Sequence, residues 1–208
     1  MRVRILGGPF RGAPMRLALR GSKRKILGVY EHELTPWWRK VLTTAEVLFD
    51  VGAGDGYFTY GVAHRLAKRG VQPKIIAFEP GMDAVGLTEA SNWRAYREVE
   101  FEFVPKLVGA TDNDEMVTLD RWDNAHEIET IVKVDVEGAE VDVLEGAQQL
   151  LARTNTHWVV EVHGRELIEP VSAKFEQAER EFALIEPRPH PTFGAEARGM
   201  WTGWIVTE

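Results

Sequence analysis

Short apolar runs bounded by glycine, proline or charge alternate along this chain with longer segments in which apolar residues return every three to four positions. The runs predict strands at Val47–Asp50, Lys74–Phe78, Glu100–Pro105, Thr130–Val134 and His157–Val162. A short strand at Ala183–Pro187 and a terminal one at Met200–Thr207 follow. The periodic segments predict helices at Tyr57–Lys68, around Met82–Ser91, at Ala139–Leu151 and at Glu166–Phe182. In the third of these, Val143, Leu144, Ala147, Leu150 and Leu151 form a core-facing stripe. Glu31–Thr43 reads as a helix, or one broken at Pro36, with an apolar face of Leu34, Trp37, Trp38, Val41 and Leu42. Strand and helix alternate, which predicts an α/β domain with a doubly wound, mostly parallel sheet. Ahead of it, VRIL and MRLAL, set apart by Gly-Pro turns, suggest two short strands.

The most informative local feature is VLFDVGAGDGY, residues 47–57: a buried strand ending in Asp50, then Gly52, Gly54 and Gly56 at alternate positions, then a helix. Glycines after a strand let the backbone approach a nucleotide closely and tolerate positive φ. The spacing is G-x-G-x-G, not the G-x-G-x-x-G of dinucleotide sites, and Tyr57 stands where that fingerprint needs its third glycine. The loop points to S-adenosylmethionine, not NAD. A second signal lies at the carboxyl end of the next strand: Glu79-Pro80, whose carboxylate is placed to accept hydrogen bonds from both ribose hydroxyls of an adenosine. The alternative for Glu79 is an exposed acid before a proline turn.

Ligands of open α/β sheets collect beyond the carboxyl ends of the strands, where Asp50, Glu79, Asp135, Glu161 and His163 all fall. Lys133, Asp135 and Glu137 share one face while their strand continues, as do Glu161 and His163. His163 is the candidate general base for an acceptor hydroxyl, a neutral imidazole titrating near neutrality. Its alternative is a histidine that only hydrogen-bonds to the chain or to Glu161. Asp135 is the second candidate catalytic residue, read as orienting substrate, ligating a metal or simply capping a helix. Glu137 and Glu140 read as first-turn helix acids. Asp135, Glu161 and His163 are compatible with Mg²⁺, but the spacing does not demand a metal, and none is expected.

Charge and composition narrow the classes. The 208 residues suit one domain, 28–208, preceded by a basic arm at 1–27 expected to form a short hairpin. Residues 1–25 carry eight Lys or Arg and no acid, so the net charge of −7 leaves about −15 on the rest. Such an arm attracts anions, or is simply a solvated leader. No apolar run approaches the roughly 20 residues of a membrane span, and the amino terminus does not read as a secretory signal. A cytoplasmic protein is the expectation. Without cysteine, disulfides, thiolate metal sites and cysteine nucleophiles are excluded. The tryptophans, including Trp37, Trp38, Trp93, Trp201 and Trp204, could line an acceptor pocket, but such residues more often build core.

The order of these segments resembles the FkbM family of S-adenosylmethionine-dependent methyltransferases. The resemblance is carried by GVYE (28–31), FDVGAGDGYFT (49–59), AFEP (77–80), Val108-Gly109-Ala110, TLD (118–120), VKVDVEGAEVDVLEGAQQLL (132–151) and VVEVHG (159–164). It implies a Rossmann-like class I methyltransferase fold, a seven-stranded sheet with one antiparallel strand and helices on both faces. It also implies donor contacts at Asp50, Gly52, Gly54, Asp55, Gly56, Glu79 and Pro80, with the backbone of Gly109 and Ala110 by the adenine. Asp55 stands where many relatives look like they carry Asn. Family members look like O-methyltransferases acting on hydroxyls of sugars or natural products, so the expected partner is a small hydroxylated acceptor and not a nucleic acid. Two rivals stay open, an RNA methyltransferase guided by the basic arm and a protein that binds an adenosine ligand without chemistry. NAD-dependent oxidation is a more distant third.

Overall fold

The computed structural model describes residues 2–18, 21–81, 96–122, 127–195 and 200–207. The helix expected around Met82–Ser91, and Trp93, lie outside the described residues. The chain divides into two compact units, residues 1–105 and 106–208.

In the first unit, β1 (Arg2–Arg4) and β2 (Pro14–Arg16) pair antiparallel. The segment between them is not a solvated leader, because Ile5, Phe10 and Ala13 are buried. The Phe10 ring meets those of Trp38, Tyr57 and Phe58 edge-on at 5.4, 5.4 and 5.8 Å. Glycine at position 61 makes room for it, since a Cβ there would sit 2.5 Å from the Phe10 ring. A short helix, α1 (Lys23–Leu27), completes the arm. The expected break at Pro36 is present: a 3-10 turn at His32–Leu34 leads into α2 (Thr35–Val41), with Pro36 in its first turn, where a missing N–H costs nothing. The face of Leu34, Trp37, Trp38, Val41 and Leu42 is buried.

Strands β3 (Val47–Val51), β4 (Lys74–Phe78) and β5 (Glu100–Val104) pair in parallel in that order, and α3 (Tyr57–Ala67) joins the first two. Every residue of β3 is buried, as expected of a strand covered on both faces.

The second unit starts with β6 (Leu107–Val108) and β7 (Met116–Val117), a two-residue parallel pair too short to announce itself by alternation. Then come β8 (Thr130–Val134), α4 (Glu140–Glu145), α5 (Gln148–Ala152) and β9 (Thr156–His163). After a 3-10 turn at Arg165–Leu167 follow α6 (Ile168–Gln177), β10 (Phe182–Ile185) and β11 (Thr202–Thr207). Strands β8 and β9 are parallel, and β11 lies between β9 and β10, antiparallel to both. Counted together, β3 to β5 and β8 to β11 are the expected seven, and among these strands every pairing described here is parallel except those of β11.

The single helix expected at Ala139–Leu151 is two, α4 and α5, separated at Gly146-Ala147. The break has two causes. The Asp120 carboxylate accepts the N–H groups of Gln149 (3.0 Å) and Leu150 (3.1 Å), supplying a new helix start, while the Asp120 N–H donates to the Gly146 carbonyl at 3.1 Å. The Gly109 backbone also packs against Gly146, where a Cβ would fall 2.0 Å from the Gly109 oxygen. Gly146→Ala is therefore expected to destabilise by about 1–3 kcal/mol, as overpacking does. At about 2–4 °C per kcal/mol for a chain of this size, its melting temperature falls by roughly 2–12 °C. An unchanged melting temperature by calorimetry would show that the contact relaxes freely.

Candidate functional site

In the first unit the glycine loop has the conformation its composition demands. Gly52, Gly54 and Gly56 sit at φ of 73°, 51° and 78°, in the left-handed region. The Gly52 and Ala53 N–H groups donate to the Phe78 carbonyl at 3.0 and 3.1 Å, tying the loop to the end of β4. At that end, the half-buried Glu79 carboxylate accepts the Gly54 N–H at 3.0 Å on one oxygen and the Gly81 N–H at 2.9 Å on the other. Pro80, which has no N–H, is exposed at the turn. Loop and carboxylate, 25 residues apart in sequence, thus form one structure. A Cβ at Gly54 would meet nothing within 4 Å, so the loop opens onto space beside Glu79.

The other two acids of the loop have structural partners. Asp50 is fully buried and accepts the Thr59 hydroxyl at 2.6 Å, which joins the strand end to the first turn of α3. Asp55 accepts the Tyr57 N–H at 3.2 Å, a favourable place for an acid at a helix start, and both its oxygens lie 2.8 Å from the Lys25 ammonium. Lys25 also lies over the rings of Tyr30 and Tyr57, 5.0 and 5.6 Å from their centroids. One charge of the basic arm is therefore committed to the glycine loop.

The second unit holds a cluster of acids around His163. The His163 Nδ1 lies 2.7 Å from Glu140 Oε1, and its backbone N–H donates to the same oxygen at 3.2 Å. Its Nε2 faces Asp135 Oδ1 at 3.6 Å, and the Lys133 ammonium donates to Asp135 Oδ2 at 3.1 Å. Asp135, Glu161 and His163 each present one ligand-type atom, all within 4.8 Å of one another. The hydrogen bond to Glu140, then the charges of Glu161, Asp135 and Glu140, raise the imidazole pKa above its ordinary 6.5, against the opposing effect of burial. His163 is thus more readily protonated than the sequence suggests, and its anchor is Glu140, not Glu161.

Glu140 is fully buried and Glu137 exposed, so the two acids differ although both read as first-turn residues. The telling signal was the position of Glu140 on the stripe of Val143, Leu144 and Ala147, where a carboxylate is out of place unless it has a partner. Thr59 carries the same signal on the stripe of Val62, Ala63 and Leu66. Lys25 carried none, because its contact spans 30 residues of sequence.

Gly109 is buried and donates its N–H to Val117 at 3.0 Å; Ala110, next to it, is half-buried. Of the tryptophans, Trp37, Trp38 and Trp204 are core, whereas Trp201 is half-exposed under the Arg165 guanidinium.

Residues 97–182 match the family model of the methyltransferase FkbM domain. That segment, about two fifths of the chain, resembles the FkbM methyltransferase domain. The matched segment contains Gly109, Asp120, Asp135, Glu140, Glu161 and His163; the glycine loop and Glu79 precede it. No curated protein sequence matches the chain. Among solved structures, a methyltransferase FkbM from Methylobacillus flagellatus KT is similar at 13% identity and a TM-score of 0.55, over 79% of this chain and 44% of that one. This chain therefore spans less than half of that relative. A precorrin-6y C5,15-methyltransferase from Geobacter metallireducens GS-15 is similar at 14% identity and a TM-score of 0.54, over 93% and 91% of the two chains. A magnesium protoporphyrin IX methyltransferase from Synechocystis PCC 6803, with bound SAM, is similar at 10% identity and a TM-score of 0.51, over 92% and 85%. At such identities the likeness is one of fold, and the fold is that of the class I methyltransferases.

Proposed function

We propose that this chain is an S-adenosylmethionine-dependent methyltransferase that methylates a hydroxyl oxygen of a small molecule, such as a sugar or natural product. The observation that carries the reading is the bond between Gly54 and Glu79: a loop of left-handed glycines, open to space, with a carboxylate held at its edge. These residues fit an adenosine-bearing donor, because the carboxylate can accept from ribose hydroxyls where glycine leaves room for the ligand. Gly52, Gly54 and Gly56 would let the donor approach the backbone, with Glu79 and Pro80 at the ribose and Gly109 and Ala110 at the adenine. Asp50 and Asp55 act behind the loop, fixing it to α3 and to Lys25. When bound, the donor supplies an electrophilic methyl group on a sulfonium.

The chain's part in transfer is to orient the acceptor and take its proton. His163 is the base: Glu140 holds Nδ1 in its protonated tautomer, which leaves Nε2 with the lone pair. Asp135 faces Nε2 and is placed to stabilise the imidazolium once the proton has moved. Lys133 offsets the charge of Asp135. No metal is invoked.

Calorimetric titration with S-adenosylmethionine and S-adenosylhomocysteine, with NAD as control, tests the donor. One site per chain with micromolar affinity for the first two and none for NAD is the expected result; binding of NAD alone would refute the reading. Methyl transfer to a panel of hydroxylated acceptors then separates an enzyme from a protein that only binds the donor.

A further inference from the structure

The first unit contains a cavity of about 550 Å³, lined by Arg4, Pro14, His64, Ala67, Lys68 and Tyr96 and also by Arg97 and Glu98. It lies at the carboxyl end of α3, whereas the glycine loop lies at the amino end, a helix length of about 16 Å away. Three elements converge on it: Arg4 from β1, His64 and Lys68 from the end of α3, and Arg97 from the segment before β5.

The charges around this cavity are unbalanced. Arg4, Lys68 and Arg97 face a single acid, Glu98, and among the described residues no carboxylate pairs with any of the three. The Arg4 guanidinium instead donates to the Gly12 carbonyl at 3.1 Å, which fixes it at the cavity. Tyr96 forms a rigid wall: it is buried, stacks on Tyr60 at 6.0 Å, and donates its hydroxyl to the Pro14 carbonyl at 2.9 Å. Pro14, Ala67 and the Tyr96 ring are apolar, so the cavity has an apolar wall and a cationic rim.

We propose that this cavity binds a small organic phosphate, its phosphoryl dianion held by Arg4, Lys68 and Arg97 and its organic part against Pro14, Ala67 and Tyr96. Guanidinium forks and a lysine ammonium are the donors best suited to a phosphoryl group, and the volume falls in the range of small-molecule sites. The convergence of charge on one cavity favours a single dianion over the backbone of a nucleic acid, which would need cations spaced along a track. His64 supports the reading. Burial, then the cations Lys68, Arg65 and Arg4, push its pKa down to about 4. A bound anion would offset the part of that shift that comes from the cations.

The test is calorimetric titration of the full chain with phenyl phosphate and inorganic phosphate at physiological salt, and with an oligonucleotide lacking terminal phosphates. Phenyl phosphate is expected to bind once per chain, inorganic phosphate to compete with it more weakly, and the oligonucleotide not to displace it. The variant Lys68→Ala/Arg97→Ala, altered only at exposed side chains, weakens phenyl phosphate binding at least tenfold. Ala67→Trp, which fills the cavity without changing its charge, does the same. Phenyl phosphate also raises the His64 pKa seen by NMR, where the groups around the imidazole are Arg4, Gly12, Arg65, Lys68, Tyr96, Arg97 and Glu98. No saturable binding, or binding that Ala67→Trp leaves intact, overturns the proposal. Salt-sensitive binding of the oligonucleotide alone overturns it in favour of a nucleic-acid surface.

Discussion

Glu79→Ala is expected to weaken S-adenosylhomocysteine binding by about 10²–10⁴-fold. A hydrogen bond to a charged group contributes about 1.5–3 kcal/mol, two ribose hydroxyls are in question, and each 1.4 kcal/mol is a factor of ten. The substitution also frees the N–H groups of Gly54 and Gly81, which the carboxylate now holds. Loop collapse and loss of the ribose contact must therefore be told apart. A donor analogue without ribose hydroxyls does this: its affinity is lower than that of the parent ligand for the wild type, but Glu79→Ala lowers it little further. Equal losses for both ligands would mean that Glu79 serves only the loop. Glu79→Gln keeps an oxygen for one N–H but loses the charge, so it should restore thermal stability more than affinity.

The parts legible in the sequence are those fixed by short-range physics. Strands β3, β4 and β8 follow from short, mostly apolar runs closed by an acid or a turn, and α3 from its periodicity between Gly56 and Gly70. What escaped depends on contacts between distant residues. The split between α4 and α5 needs Asp120 and Gly109, 26 and 37 residues upstream of Gly146. The basic arm could be read as a solvated leader because its eight charges are all of one sign. Its Phe10 fills a gap that only the absence of a side chain at position 61 provides. The same division runs through the candidate site. Glycine positions and the acid after β4 could be read from spacing, whereas the partner of Glu140, His163, became visible only with β9 and α4 in place. A buried carboxylate is tolerated there because it meets an imidazole and a backbone N–H.

That pairing sets how activity should depend on pH. The imidazole accepts a proton only when neutral, and its pKa is raised above 6.5, first by the hydrogen bond it donates to Glu140. The rate under saturating donor is therefore expected to climb with pH through a midpoint above 6.5 and to level off beyond it. Removing the base in His163→Ala should lower turnover by about 10²–10⁴-fold, the usual share of general base catalysis, and abolish that limb. Donor affinity, which rests on other residues, stays unchanged. Glu140 acts through His163, so Glu140→Gln tests position and charge together: an acceptor remains, but the negative charge that favours the imidazolium is gone. The sign follows directly. A weaker preference for the charged form lowers the pKa, so the limb moves to lower pH, while Asp135 and Glu161 still keep part of the shift. At low pH the variant then has a larger fraction of neutral His163 than the wild type, although its base is weaker. A limb below 6.5 in the wild type, or one that Glu140→Gln leaves in place, would remove His163 from the proton transfer and leave Asp135 as the residue to examine.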